Sequence, residues 1–202
     1  MSEGREHAET GWPVEFGGVV ESVVATLGPN ERWNVAALGL FAGEPVTART
    51  WGNTRTRRNF HREGEGYVQF TRDPLEFVEA ACSIYERDEP LLPAVDAWAR
   101  VGVERVGRGE SDGTRWEEWE LQPVESAVET RVVSTISRGH AAVIEATVAA
   151  SRLDVESYDT AELIGRLSYF ERVVERCGGE REREAFSRLT EHSGWDRRNE
   201  SF

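Results

Sequence analysis

Short runs in which apolar and polar side chains alternate dominate the chain from residue 14 to about residue 136. Period-two alternation buries one face of an extended segment and exposes the other, so it predicts β-strands. Gly, Pro and Asn separate the runs, as in the Gly28-Pro29-Asn30 turn, which is typical of a hairpin connection. Seven strands are predicted, at residues 19–27, 32–41, 46–51, 66–71, 98–106, 114–121 and 127–136.

Helical periodicity appears in two places. Asp73 followed by Pro74 predicts a helix start within the strand-rich region, and that helix ends near Cys82. After Gly139 the pattern is helical throughout, because apolar positions recur at spacings of three and four or occur almost all round. Three helices are predicted there, at residues 141–151, from the N-cap Asp159 to Gly178, and at residues 180–192.

This order of elements predicts an α+β fold that is mainly β. About six to seven antiparallel strands form a closed or nearly closed barrel, and a three-helix extension follows at the C-terminus. We expect a barrel domain at residues 14–136 and a helical extension at residues 137–194. Residues 1–13 and 195–202 are expected to be flexible tails.

The charge balance is strongly acidic, with 37 Asp and Glu against 24 basic residues and a formal net charge of −13. The sequence contains no lysine, so all 24 of those basic residues are arginine. Molar salt shortens the Debye length to about 3 Å and screens the repulsion among surface carboxylates. The composition therefore favours a halophilic protein, and a GC-rich genome is the alternative explanation for the preference for arginine.

The beginning of the chain is polar and carries both charge signs, which is not the pattern of a signal peptide. No apolar run approaches the length of a membrane span, so a cytoplasmic protein without a membrane partner is expected. The two cysteines, Cys82 and Cys177, are far apart in the sequence. We expect buried thiols rather than a disulfide or a metal site.

A basic loop stands out against this acidic background. It joins the strand at residues 46–51 to a short predicted helix at residues 57–62, and a helix start offers unpaired N–H groups and a positive dipole end to an anion. Arginine adds a planar grip on phosphate, so we predict a phosphate site. The alternative is a solvated cluster of ion-paired arginines. The arginines concerned are Arg49, Arg55, Arg57, Arg58 and Arg62.

Nucleic acid is a third candidate ligand for the basic loop, because Trp51 and Phe60 are suited to stacking on bases. The net charge of −13 opposes a broad polyanion footprint by long-range repulsion. We therefore expect no nucleic-acid partner.

The second predicted strand is the other candidate binding segment. Alternation places Asn34 and Ala36 on one face and Trp33 and Val35 on the other. Its small residues leave room for a flat ligand, and Asn34 offers both a donor and an acceptor. The alternative is that Ala and Gly only fit a tight barrel.

The order of these motifs resembles the FMN-binding split barrels, which include flavin reductase-like and pyridoxamine-phosphate-oxidase-like proteins. Asn34-Val35-Ala36 is followed by a strand after Pro45, then by Gly52-Asn53-Thr54-Arg55-Thr56-Arg57-Arg58-Asn59, and later by Asp73-Pro74. A closer resemblance is to the archaeal domain-of-unknown-function family 447, whose barrel carries a C-terminal helical extension. The opening signature of that extension stands here as Arg138-Gly139-His140-Ala141-Ala142-Val143-Ile144-Glu145-Ala146.

The resemblance covers residues 14–194 and implies FMN at a homodimer interface of split barrels. By motif, the phosphate end of FMN would be held by Thr54, Arg55, Thr56 and Asn59. The isoalloxazine ring would lie along Asn34, Val35 and Ala36, with Thr26 on the hairpin partner. The loop departs from the usual form in that Asn53 stands where a Ser is common and in the extra charge of Arg57-Arg58.

The resemblance thus implies an FMN-binding flavoprotein. For a flavin-dependent oxidoreductase a reduced nicotinamide would be the natural donor, but no second nucleotide site can be read, so the sequence supports a flavin binder better than a flavin reductase. The alternative is a non-catalytic dimer that binds or stores FMN or another phosphorylated ligand. Neither catalytic residues nor metal ligands can be assigned, since His61, His140 and His192 lack metal-ligand spacing. Glu145 is expected to form a buried ion pair with Arg138 or Arg152, which lie on a similar helix face.

Overall fold

A computed structural model of the chain describes residues 10–111, 113–130 and 137–199. It consists of two compact units. The barrel unit comprises Met1–Arg72 and Tyr85–Val132, and the helical unit comprises Asp73–Ile84 and Val133–Phe202. The helix that interrupts the strands in sequence therefore belongs to the helical unit.

The barrel unit is an antiparallel sheet whose strand order is β1-β4-β6-β7-β3-β2-β5. Pairing of β1 with β2 closes the first six strands of that order into a barrel, and β5 adds to the outer edge of β2. One helix, α1, lies between β3 and β4 in the chain. The elements are β1 (Val19–Leu27), β2 (Trp33–Phe41), β3 (Val46–Trp51), α1 (Arg55–Glu63), β4 (Glu65–Phe70), β5 (Tyr85–Arg87), β6 (Ala97–Ser111) and β7 (Thr114–Val128).

The barrel prediction is confirmed, but the last two strands differ from those predicted. Instead of one strand at residues 114–121 and another at residues 127–136, a single strand, β7, runs through Pro123. A register shift allows this, because Arg100 pairs with Glu125 while Val101 pairs with Pro123, so the ladder skips one residue beside the proline. A bulge tolerates the missing N–H of proline. Residues 131–136 lie outside the described part.

The core of the barrel unit forms between the inward faces of the strands and α1. The ring of Phe60 on α1 lies 5.2 Å from that of Trp119 on β7, edge to face. Trp12 and Phe16, before the first strand, pack against the same core. The buried members are Val24, Leu38, Leu40, Val46, Ala48, Phe60, Val68, Ala99, Val101, Trp119 and Leu121.

The outer face of β4 is covered by the segment that leads to β6. The fully buried side chain of Gln69 donates to the carbonyl of Pro90 at 2.9 Å and accepts from the N–H of Leu92 at 2.7 Å. A buried amide whose donor and acceptor are both satisfied fixes its neighbours in one register. This contact holds the chain after β5 on the barrel.

The helical unit has its own core and five described helices. Asp73 caps the first of them by accepting from the N–H of Leu75 at 3.0 Å, as predicted. The unit extends past residue 194 into a short helix whose Trp195 is 3% exposed. The helices are α2 (Pro74–Cys82), α3 (Arg138–Ala150), α4 (Thr160–Cys177), α5 (Glu180–Ser193) and α6 (Trp195–Asn199).

The predicted ion pair of Glu145 is wrong. Glu145 is exposed, and its carboxylate lies 3.6 Å from the guanidinium of Arg166 on α4. Spacing along α3 placed Arg138 and Arg152 on a similar face, but the neighbouring helix supplies the nearer cation. The reason is that tertiary packing, not helix periodicity, decides which partner is closest.

Candidate functional site

The start of α1 is built by Thr54. Its backbone is extended, with φ −73° and ψ 161°, and its hydroxyl accepts a hydrogen bond from the N–H of Arg57 at 3.2 Å. A cap of this kind satisfies one of the first N–H groups of a helix. The N–H groups of Arg55 and Thr56 project beyond the helix start and remain available to an anion.

Four of the side chains predicted for the site form a buried polar network between α1 and the hairpin of β1 and β2. Asn34 donates to the hydroxyl of Thr56 at 3.4 Å, and Asn59 donates to that of Thr26 at 3.0 Å. Thr26 and Asn34 are themselves cross-strand partners. All four are less than a tenth exposed. The structure therefore brings these residues together and fastens the start of α1 to the barrel.

The arginines of the basic loop are mostly paired within the protein. Arg55 lies 2.5 Å from Glu86 on β5, and Arg49 lies 3.1 Å from Glu118 while also stacking on Trp116 at 4.5 Å. Arg62 pairs with Glu63 and also donates to the carbonyl of Leu27. The ion-paired alternative considered for the sequence is thus correct for these side chains.

Arg58 is the exception in the basic loop. Its guanidinium donates to the carbonyl of Asn53 at 2.8 Å, and no carboxylate among the described residues pairs with it. The side chain is exposed at the first turn of α1. It is therefore the arginine of the loop whose charge is least neutralised.

A buried carboxylate, Glu117, stands behind the loop. It lies 2.8 Å from Arg57, 2.6 Å from His61 and 3.3 Å from Arg105. Arg57 also donates to the carbonyl of Gly52 at 3.2 Å, so one guanidinium ties Glu117 to the loop backbone. Glu117 is 5% exposed, so these contacts anchor the loop to a buried group of β7.

The cations around Glu117 control its protonation. The hydrogen bond from Arg57 is the largest influence, and together with His61 it lowers the pKa of Glu117 from 4.5 to about 2, although burial alone would raise it. Hydrogen bonds to the ionised form favour that form. The carboxylate is therefore ionised at neutral pH.

The strand β2 is incompletely paired beside this helix start. Residues 33–35 pair with β5 and residues 40–41 pair with β3, so residues 36–39 have only β1 as a strand neighbour in the described structure. This is the split in the barrel. Ala36 is half-buried here, whereas the side chain of Val35 is 1% exposed on the opposite face. Val35 therefore offers its backbone rather than its side chain.

Two observations indicate that this region suits a phosphorylated ligand. The Nε atom of Arg57 is buried and has no hydrogen-bond partner, and a buried donor of that kind in a native structure calls for an explanation such as a ligand or water. At Gly52, whose φ is +65°, an added Cβ would meet nothing within 4 Å. The loop thus has open space at Gly52 and one unsatisfied donor on Arg57.

Glu86, His61, Arg105 and Glu117 are parts of this region that the sequence interpretation missed. Glu117 had a usable signal, because alternation along β7 places it on the inward face with Trp119 and Leu121. Glu86 had none, since β5 is too short to show a pattern. Within the described ranges no cluster of potential metal ligands occurs, and none of the helices is long and apolar enough to cross a bilayer.

Comparison with known families gives two matches that follow one another along the chain. The N-terminal domain of a protein of unknown function, DUF447, matches residues 20–130. A second model of the same protein family, DUF447, matches residues 137–191.

Solved structures are similar to this chain to different extents. An FMN-bound protein of the DUF447 family from Methanosarcina mazei is similar over 87% of this chain and 95% of its own, with 23% identity and a TM-score of 0.74. A flavoredoxin from Methanosarcina acetivorans matches over 56% and 70%, with 11% identity and a TM-score of 0.40. An FMN-binding protein from Thermus thermophilus matches over 64% and 82%, with 14% identity and a TM-score of 0.39.

Proposed function

Since this chain belongs to the DUF447 family, we propose that it is a flavoprotein that binds FMN in its barrel unit. The observation that carries the proposal is the start of α1, where backbone donors and buried Thr and Asn side chains lie beside the split in β2. The FMN-bound protein from Methanosarcina mazei, which has this fold, supports FMN as the ligand.

The phosphate of FMN would bind at the start of α1. The N–H groups of Arg55 and Thr56 and the positive end of the helix dipole favour a doubly charged anion there. Arg58 adds a guanidinium without an acidic partner in the described structure, and Arg57 adds its orphaned Nε. The hydroxyl of Thr54 accepts from the backbone yet still has its own O–H to donate.

The isoalloxazine ring would lie along residues 36–39 of β2, which have β1 on one side and no described strand on the other. Backbone N–H and C=O groups of residues 36–39 are the donors and acceptors that a flat heterocycle can use. Asn34 and Thr26 are already bonded to Thr56 and Asn59, so we propose that they position α1 against the strand and contact the ring edge only secondarily.

A bound flavin supplies electron and hydride transfer, while the protein supplies binding and orientation. We propose that the protein is a flavin-dependent oxidoreductase with a reduced nicotinamide as donor. The alternative is a non-catalytic module that holds FMN. Steady-state oxidation of reduced nicotinamide with an added acceptor separates them, because a rate no higher than that of free FMN would favour the module.

We further propose a homodimer with the flavin at the interface. Phe41 and Trp51 are large apolar side chains exposed on the outside of the barrel near the split, at 38% and 46%. Sedimentation equilibrium of the flavin-loaded protein is the test, and a monomer at micromolar concentration contradicts this part of the proposal without affecting FMN binding.

The absorbance spectrum of the purified protein tests FMN binding itself. We expect flavin bands that separate from the chain on denaturation, and a fluorescence titration of the emptied protein that shows tighter binding of FMN than of riboflavin. Equal affinity for the two would mean that no phosphate site exists. The absence of binding to either would overturn the proposal.

Substitution at the start of α1 locates the site. We expect Arg55→Ala with Thr56→Ala to weaken FMN binding by roughly tenfold or more, because the change removes the contacts with Glu86 and Asn34 that hold the donors at the start of α1 in place. Arg72→Ala is the matched control, because Arg72 is also ion-paired, to Asp96, but lies beyond the other end of β4. Unchanged affinity in the double variant would move the site elsewhere.

A further inference from the structure

We propose that the helical unit contains a second anion site, which binds the phosphate group of a small phosphorylated compound. The site is a surface pocket of about 160 Å³, here called the arginine pocket. It shares no residue with the proposed FMN site. Its lining is formed by Arg138, Tyr169, Arg172, Val173, Arg176 and Cys177.

Helix periodicity and one close contact build the arginine pocket. The five residues from α4 recur at spacings of three and four, so they form a single stripe on that helix. The start of α3 reaches this stripe because Gly139 lies against Gly178, where an added Cβ would stand 2.5 Å from the neighbouring Cα. Glycine at residue 139 thus allows Arg138 to join the arginines of α4.

The guanidinium groups of the arginine pocket have no ion-pair or hydrogen-bond partner in the described part of the chain. Burial and the charge of Glu175 raise the pKa of the neighbouring Glu171, although Arg172 favours its ionised form. Arg138, Arg172 and Arg176 are all exposed, so one pocket gathers three positive charges that are open to an anion.

The placement of these charges is unfavourable without an anion. Arg172 and Arg176 are like charges four residues apart on one helix, which repel each other. The C-terminal end of α4 attracts Arg176, which lies in its last turn. Arg138 occupies the first turn of α3, where the helix dipole disfavours a cation and no acidic side chain is present. An anion in the pocket would offset both effects.

The chemistry of the lining selects the class of ligand. Guanidinium groups and the start of a helix are groups that recognise phosphate, and the pocket combines three arginines with the start of α3. The pocket volume of about 160 Å³ is several times the roughly 30 Å³ that one water molecule occupies in the liquid. It therefore has room for a phosphate group and part of the molecule that carries it. The half-exposed ring of Tyr169 and the side chain of Val173 give an apolar wall for the organic part.

Cys177 provides a local readout of occupancy. Alkylation of the full-length protein by iodoacetamide, followed by peptide mass spectrometry, is measured with inorganic phosphate or phenyl phosphate at constant ionic strength. We expect either phosphate to slow the alkylation of Cys177 several-fold, and phenyl phosphate to act at the lower concentration. Cys82 is the internal check on unfolding, because burial raises the pKa of its thiol to about 12 and it should stay unreacted while the protein is folded.

Variants of α4 test which groups bind. We expect the phosphate concentration that halves the alkylation rate of Cys177 to rise by roughly tenfold or more in Arg172→Ala and in Arg176→Ala. Each variant is compared with its own rate without phosphate. Arg176→Lys should have an intermediate effect, because it keeps the charge but loses the fork. Arg166→Ala is the matched control, since Arg166 lies on the same helix but pairs with Glu145.

Three results would each overturn the arginine pocket as a phosphate site. One is alkylation of Cys177 that phosphate does not slow. Another is equal protection by chloride, which would show screening only. The third is unchanged protection in the Arg172 and Arg176 variants when their melting temperatures show that they are folded. Arg55→Ala with Thr56→Ala should leave the protection intact, which separates this proposal from the FMN site.

Discussion

The protein contains two clusters of arginines that differ in how their charges are neutralised. In the basic loop of the barrel unit, Arg49, Arg55, Arg57 and Arg62 each pair with a carboxylate. In the arginine pocket of the helical unit, no arginine does so within the described residues.

The difference teaches that arginine number does not indicate free positive charge. In the basic loop, internal pairing leaves anion recognition to backbone N–H groups, the hydroxyl of Thr54, Arg58 and the Nε atom of Arg57. The paired arginines mainly hold the loop in shape. In the arginine pocket the guanidinium groups themselves are available. Substitutions that remove the pairing of one cluster or the packing of the other test this contrast.

The largest effect is expected for Glu117→Gln. This change removes a buried charge partner from Arg57, and breaking a buried ion pair destabilises by about 3–5 kcal/mol. Glu118→Gln is the matched control, because the neighbouring carboxylate forms a part-exposed pair with Arg49 and should contribute no more than about 1 kcal/mol. Urea unfolding of both variants is the measurement. Equal losses would show that Glu117 does not anchor the loop.

The same carboxylate predicts an acid dependence. The pKa of Glu117 is lowered from 4.5 to about 2, so its contribution to the free energy of unfolding is complete above 4.5 and is lost as the pH falls towards 2. The stability difference between the wild type and Glu117→Gln should therefore shrink over this range. A difference that stays constant down to pH 3 would contradict the shifted pKa.

A moderate effect is expected at the helix contact that forms the arginine pocket. Gly139→Ala places a Cβ 2.5 Å from Gly178, and overpacking of this kind costs about 1–3 kcal/mol. Gly165→Ala on α4 is the control, because nothing lies within 4 Å of its Cβ position, and there alanine should stabilise by about 0.5–1 kcal/mol. Thermal unfolding should move in opposite directions for the two variants.

The smallest effect, of a few degrees, concerns salt. Raising KCl from about 0.1 M to about 1 M shortens the Debye length from roughly 10 Å to 3 Å. This screens repulsion both in the acidic surface and among the arginines of the pocket, so the melting temperature should rise. A melting temperature that does not rise with KCl would contradict the halophilic, cytoplasmic interpretation of the composition.

Local patterns were sufficient for most of the elements. The bounds of β1 and β3 match the predicted segments, and Asp73 and Asp159 cap helices where the sequence placed them. The segment of β7 was predicted as two strands, with Pro123 in the gap between them. Only the paired register with β6 shows that a bulge accommodates it.

For the candidate site, the sequence determined the motifs: a helix start rich in Thr, Asn and Arg, and a strand of small residues. These depend on residues close together in the chain, whose preferences act locally. The tertiary structure alone decided which charges are neutralised, because the partners are distant in sequence. Glu117 and Arg57 are 60 residues apart, and the arginine pocket exists only where Gly139 meets Gly178.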